Sequence, residues 1–120
     1  MAAPHTLPLP RPLPHPNALM DAVREVIDSN RADGYQPNRF VGATQYGNAA
    51  NLLAVCRDLI NNPETLEWLE KAMQSFPTLL TLEDFVCRYG SSWGFDAATI
   101  QVACARAVFF DQIAGHTRYS

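Results

Sequence analysis

The placement of proline decides where this chain can be helical. Of its nine prolines, six stand at Pro4, Pro8, Pro10, Pro12, Pro14 and Pro16, and the other three are Pro37, Pro63 and Pro77. Each lacks a backbone donor and fixes φ, so a helix tolerates one only in its first turn. Residues 1–16 therefore read as an extended, polyproline-like arm, and the later three prolines punctuate the starts and stops of helices.

Between those marks the apolar residues recur at helical spacing. Leu19, Met20, Val23, Val26 and Ile27 give a first amphipathic helix over 18–31, with Asn17 as its cap and with Gly34 and Pro37 ending it. A second helix is expected after Asn48, with Ala49, Leu52, Leu53, Cys56, Leu59 and Ile60 on one stripe. Asn62 and Pro63 open a third, whose inward positions are Leu66, Leu69, Met73 and Phe76, and Pro77 stops it. Thr81 opens a fourth with Glu83 and Asp84 in its first turn, with Leu82, Phe85, Val86 and Tyr89 facing the core and Gly90 as a ready C-terminal cap. Asp96 caps the longest, over 97–114, whose small residues suit the centre of a bundle. With no alternating pattern anywhere, the expected fold is all-α: a compact bundle of about five short helices over 17–115, a proline-rich arm over 1–16 and a short tail over 116–120.

Composition narrows the class. At 120 residues the chain is one domain at most, 48% hydrophobic and only 18% charged against a globular average of roughly 25%. The arm has no uninterrupted apolar run of signal-peptide type, and no stretch reaches the roughly 20 apolar residues of a membrane span, so the expectation is a cytoplasmic protein without a membrane partner. Cys56, Cys87 and Cys104 are odd in number and lie 31 and 17 residues apart, which suggests reduced, buried thiols rather than a disulfide framework or a metal pair. His5, His15 and His116 lie in the arm and the tail, so neither a metal nor a cofactor is expected.

Tyr35, Pro37, Arg39 and Phe40, then a small-residue helix with Ala50 and Leu53, then LLTLEDFV at 79–86 and an alanine-rich helix ending near ARAVFF, follow one order. That order, over roughly residues 34–108, resembles a short helical module recurring in uncharacterised bacterial proteins, alone or beside domains of restriction, mobile-element or phage-defence type. The resemblance implies a bacterial, cytoplasmic accessory module and no particular reaction. On physical grounds Phe40 is expected to plug the gap between the first two helices. Arg39 should reach carboxylates or carbonyl ends of a neighbouring helix, a task that suits its planar fork of donors. The alternative is a recognition patch of Arg39, Tyr35 and Tyr46 for a phosphate or a partner carboxylate.

Other candidate contact residues emerge from charge and exposure. Asp58, Glu64, Glu67, Glu70, Glu83 and Asp84 face one base, Lys71, in residues 58–84. Such a stretch is either a solvated face, with Glu67 and Lys71 as an i,i+4 pair, or an acidic docking surface for a basic or nucleic-acid-associated protein. In the arm, Leu7 and Leu13 share an edge with Arg11 between them, and residues 8–16 would span about 28 Å if extended. Trp93, in the GSSWGF loop, is a lid on its own core or an interface anchor.

The resulting expectation is a non-enzymatic interaction module that docks on a protein partner through the acidic third helix, with the proline arm adding reach; the sequence leaves a homo-oligomer open. A helix-turn-helix DNA binder using helices 82–89 and 97–114 is the alternative. A long connecting link, a would-be recognition helix that starts with Asp96, Ala97 and Ala98 and so offers phosphate repulsion rather than base contacts, and a net charge of −3 weigh against it. For nucleophilic chemistry only Cys104 with His116 and Asp111 stands out, and a thiol on an apolar stripe is inert.

Overall fold

The computed structural model describes residues 13–119. The elements run α1 (Leu19–Ala32), α2 (Asn38–Thr44), α3 (Leu52–Asn61), α4 (Pro63–Ser75), α5 (Leu82–Tyr89) and α6 (Ala97–Ala114), with single 3-10 turns at Gln45–Gly47 and Gly90–Trp93. No strand occurs among the described residues, and the all-α class holds. Among the described residues the helices number six rather than about five, because α2 forms where the sequence suggests a connection. The α2 segment is short and carries Gly42, so its apolar period is too brief to register. Its helicity rests on contacts with α1 and α3.

Local chemistry accounts for most boundaries. Asn62 accepts from the Glu64 N–H at 2.9 Å with Pro63 at the first helical position, so α4 starts as its residues dictate. Thr81 and Asp84 form a reciprocal capping box at the head of α5, and Asp96 accepts from the Thr99 N–H at 3.0 Å at the head of α6. Two caps differ from expectation. The first residue before α1 is Ala18, with no side-chain cap, rather than Asn17; that before α3 is Asn51, held at φ +56°, rather than Asn48. Gly90 closes α5 in right-handed geometry, and what requires glycine there is proximity: a Cβ would stand 2.9 Å from Val86 Cγ1 and 3.2 Å from Ile100 Cγ1.

Packing draws the stripes together in three connected clusters. Val23, Ile27, Cys56, Ile60, Val86 and Ala103 join α1, α3, α5 and α6. Ala22, Val26, Leu80 and Phe85 gather Leu13 and Tyr119 from the two ends of the described chain. Met73, Leu79 and Phe110 tie α4 to α6. The longest helix packs on α3, α4 and α5, as its small residues lead one to expect. Phe85 and Phe110 have no exposed surface, and each contributes on the order of 2 to 3 kcal/mol by leaving water.

Three expectations about the core require correction. Cys87 and Cys104 are joined in a disulfide across α5 and α6, their Cα atoms 4.7 Å apart, so only Cys56 is a free buried thiol. Spacing along the sequence could not show this, because the two meet through helix packing. Glu83 and Asp84 are buried, paired with Arg106 at 3.1 Å and Arg118 at 2.9 Å, and so contribute nothing to an acidic surface. Finally, it is Arg106, not Arg39, that reaches the carbonyl end of a neighbouring helix. Its guanidinium donates to Asn62 O at 2.8 Å and Thr65 Oγ1 at 3.0 Å as well as to Glu83. Thr65 in turn donates to Leu59 O, closing the end of α3.

Candidate functional site

A cleft of about 630 Å³ opens between α2 and α4. One wall is the segment from Tyr35 to Phe40, which Gly34 turns at φ +95° so that the Tyr35 ring meets Phe76 at 5.4 Å. The other wall is the inner face of α4, with Thr65, Trp68, Leu69 and Ala72 at helical spacing. Its floor includes Val26 and Asn30 of α1 and the stretch Leu80–Glu83. Asn30 is buried and donates to Leu80 O at 2.9 Å, which satisfies its amide and fixes the floor to α1.

Arg39 and Trp68 form the rim. The guanidinium lies 4.0 Å from the centre of the indole ring, and among the described residues no hydrogen bond or ion pair engages it. Stacking of this kind is worth roughly 0.5 to 1 kcal/mol at an exposed site and leaves the in-plane donors outward. Lys71 also lines the cleft and is exposed; no ion pair links it to Glu67 within 4 Å, so the expected i,i+4 bridge is not formed.

Glu83 is the carboxylate of the described lining. Burial pushes its carboxyl above the usual range, against the opposing pull of Arg106. Held by that arginine and only 3% exposed, it serves the fold. Burial likewise raises the Tyr35 phenol, and Arg39 partly offsets this.

The sequence candidates separate into groups. Tyr35 and Arg39 share the cleft, whereas Tyr46 lies apart, its hydroxyl donating to Asp28 at 2.7 Å and its ring beside Arg24 and Arg31, so the three form no common patch. Glu64, Glu67 and Glu70 are exposed on α4, outside the cleft lining, and none is ion-paired among the described residues. Trp93 is half-buried over the core and 6.2 Å from Tyr89, the lid arrangement. Leu13 is 7% exposed, its carbonyl accepting from the Tyr89 hydroxyl at 3.1 Å, and His15 stacks on the same ring at 4.1 Å. Leu7 and Arg11 lie outside the described residues. Phe40 is half-buried between two core clusters, the plugging role expected of it.

The nucleophilic set dissolves. Cys104 is a disulfide, Asp111 binds Arg118 at 2.8 Å, and burial pushes the remaining thiol, Cys56, up to about 12. Arg106, one of the few bases near a DNA-reading helix, is buried and paired. No grouping of three or more histidine, cysteine, aspartate or glutamate side chains suited to a metal occurs among the described residues, and no helix there is long and apolar enough to cross a membrane.

Sequence reasoning missed Trp68, whose place in EWLEKA looks like part of a polar face. It also missed Asn30, a polar residue on the buried side of α1. A tryptophan four residues before an alanine and one before a leucine of the inner face was the available signal for the first. Comparison of the chain with protein-family models, curated proteins and solved structures finds no match.

Proposed function

We propose that the protein is a non-enzymatic, all-helical module that docks on a protein partner through α4. The observation that carries this reading is the two-sided character of that helix. Its outward side presents Glu64, Glu67 and Glu70, exposed and without ion pairs among the described residues, while its inner side carries Trp68 with Arg39 stacked at the cleft rim. Carboxylates of one sign on one face accelerate encounter with a basic surface, and a tryptophan held at a rim is the kind of side chain on which interfaces concentrate their energy. A basic or nucleic-acid-associated protein fits that chemistry.

The resemblance to a bacterial module found beside restriction, mobile-element and phage-defence domains supports an accessory role in that setting, in the cytoplasm. The Cys87–Cys104 disulfide pulls the other way on compartment, because such bonds persist chiefly in oxidising surroundings. Trapping thiols in intact cells before lysis decides between the two.

The docking reading is tested by affinity purification of the full chain beside a Glu64→Lys, Glu67→Lys, Glu70→Lys variant. Loss of a defined co-purifying protein, with the melting temperature unchanged, is the expected result. Retention of that protein by the charge-reversed variant would refute docking through α4.

A further inference from the structure

We propose that the cleft between α2 and α4 is a binding site for a small amphipathic carboxylate, its apolar body seated on Phe40, Leu69 and Phe76 and its charge met by Arg39 and Lys71. This stands on the cleft itself and does not depend on the docking reading.

Size and lining come first. A volume of about 630 Å³ lies in the range of small-molecule sites, roughly 300 to 1,000 Å³, which are mostly apolar with a few placed polar groups. Aromatic and aliphatic side chains from three directions form such a lining here, so the body of the ligand is apolar.

Charge then selects the sign. The ionisable lining residues are Tyr35, Arg39, Lys71 and Glu83. The last of these is bound to Arg106 at 3.1 Å, so its negative charge is already answered. Arg39 and Lys71 have no carboxylate within 4 Å among the described residues, which leaves the mouth of the cleft net positive on a protein whose overall charge is −3. A cationic ligand meets repulsion there, and a neutral one leaves both donors unused.

Geometry gives the carboxylate its preference. Arg39 is pinned over Trp68 at 4.0 Å with its fork of N–H groups unclaimed, so little side-chain freedom remains to be lost when two parallel hydrogen bonds form to a planar carboxylate. The fixed floor, with Asn30 tied to Leu80 O at 2.9 Å, means the apolar part of the site exists before the ligand arrives.

The test is an amide-resolved NMR titration of the full chain with phenylbutyrate, phenylbutanol and phenylbutylamine, three probes that share one apolar body and differ in charge. Phenylbutyrate is expected to give saturable shifts confined to residues 35–40 and 68–76. It should bind about tenfold more tightly than the alcohol, as a charge-assisted pair allows, with the amine weaker than both. Arg39→Gln should remove most of the advantage of phenylbutyrate over the alcohol without changing the alcohol itself, leaving the part that Lys71 supplies. Because Arg39 is exposed this variant should fold, and Lys71→Gln gives a second, independent reduction. Equal affinity for the three probes, shifts centred elsewhere, or no saturation with the anion would each overturn the proposal. Reversing Glu64, Glu67 and Glu70, which lie outside the lining, bears on docking and leaves the residues of this site in place.

Discussion

Arg118 donates to both carboxylate oxygens of Asp84, at 3.0 and 2.9 Å, across a separation of 34 residues. The same guanidinium reaches Asp111 at 2.8 Å and Leu79 O at 2.6 Å, and its side chain has no exposed surface. The tail is therefore a plug that neutralises the head of α5 and joins it to α6. Tyr119 completes it by donating to Thr78 O at 2.6 Å.

Removing that arginine leaves Asp84 buried without its counter-charge. Breaking one side of a buried pair costs about 3 to 5 kcal/mol, so Arg118→Ala is expected to lower the melting temperature by roughly 10 °C or more. A thermal melt followed by circular dichroism measures it. A shift within a degree or two of wild type would show that the tail lies on the bundle without holding it.

Glu83 yields a prediction of opposite character. Its carboxyl is raised in the folded state by burial, with Arg106 pulling it back only in part. A carboxyl raised on folding gives stability that is fully present below its unfolded value of 4.5 and is lost as pH rises through the folded value. Glu83→Gln removes that dependence while leaving an acceptor for Arg106. The melting temperature of the variant minus that of wild type should therefore increase from about pH 4.5 to pH 7. A difference that falls with pH would mean that the ion pair outweighs burial.

How far these features were readable depends on where their signals lie. Helix starts at Pro63, Leu82 and Ala97 were legible because Asn62, Thr81 and Asp96 each act within three residues of themselves. The core positions of α1 and α5 were legible through their period. Long-range polar contacts were not. Arg106 sits among alanines in ACARAVFF, and nothing local says that its partners are Glu83, Thr65 and Asn62 from elsewhere in the chain. Glu83 and Asp84 look like ordinary dipole-complementing acids, and only the arrival of two arginines from later in the chain makes their burial tolerable. The cleft was half legible: Tyr35 and Arg39 were singled out, but Trp68, the ring that holds Arg39, was not.

Two glycines in comparable helical geometry should respond in opposite ways to alanine. At Gly90 the new methyl would stand 2.9 Å from Val86 Cγ1 and 3.2 Å from Ile100 Cγ1, so Gly90→Ala should destabilise by about 1 to 3 kcal/mol through overpacking. At Gly42, inside α2, no atom lies within 4 Å, and Gly42→Ala should stabilise by up to about 1 kcal/mol through helix propensity. Urea denaturation of both variants measures the pair. A destabilised Gly42→Ala would show that α2 is not a helix in solution.

Thiol counting tests the packing of α5 on α6 directly. Cys87 and Cys104 meet because these two helices lie side by side, and the third cysteine, Cys56, is buried with its thiol pushed up to about 12 by burial and, secondarily, by Glu83. A thiolate is the reactive form, so native protein should resist maleimide at neutral pH. Unfolding without reductant should expose one thiol per chain, that of Cys56, and digestion of that sample should recover the segments around Cys87 and Cys104 as a linked pair. Opening the bond removes a constraint on a loop of sequence separation 17, worth about 3 kcal/mol in the chain-entropy account, so Cys87→Ser together with Cys104→Ser should unfold at lower urea than wild type. If the protein, purified under air, instead labels at three cysteines when unfolded without reductant, the link between α5 and α6 rests on side-chain packing alone.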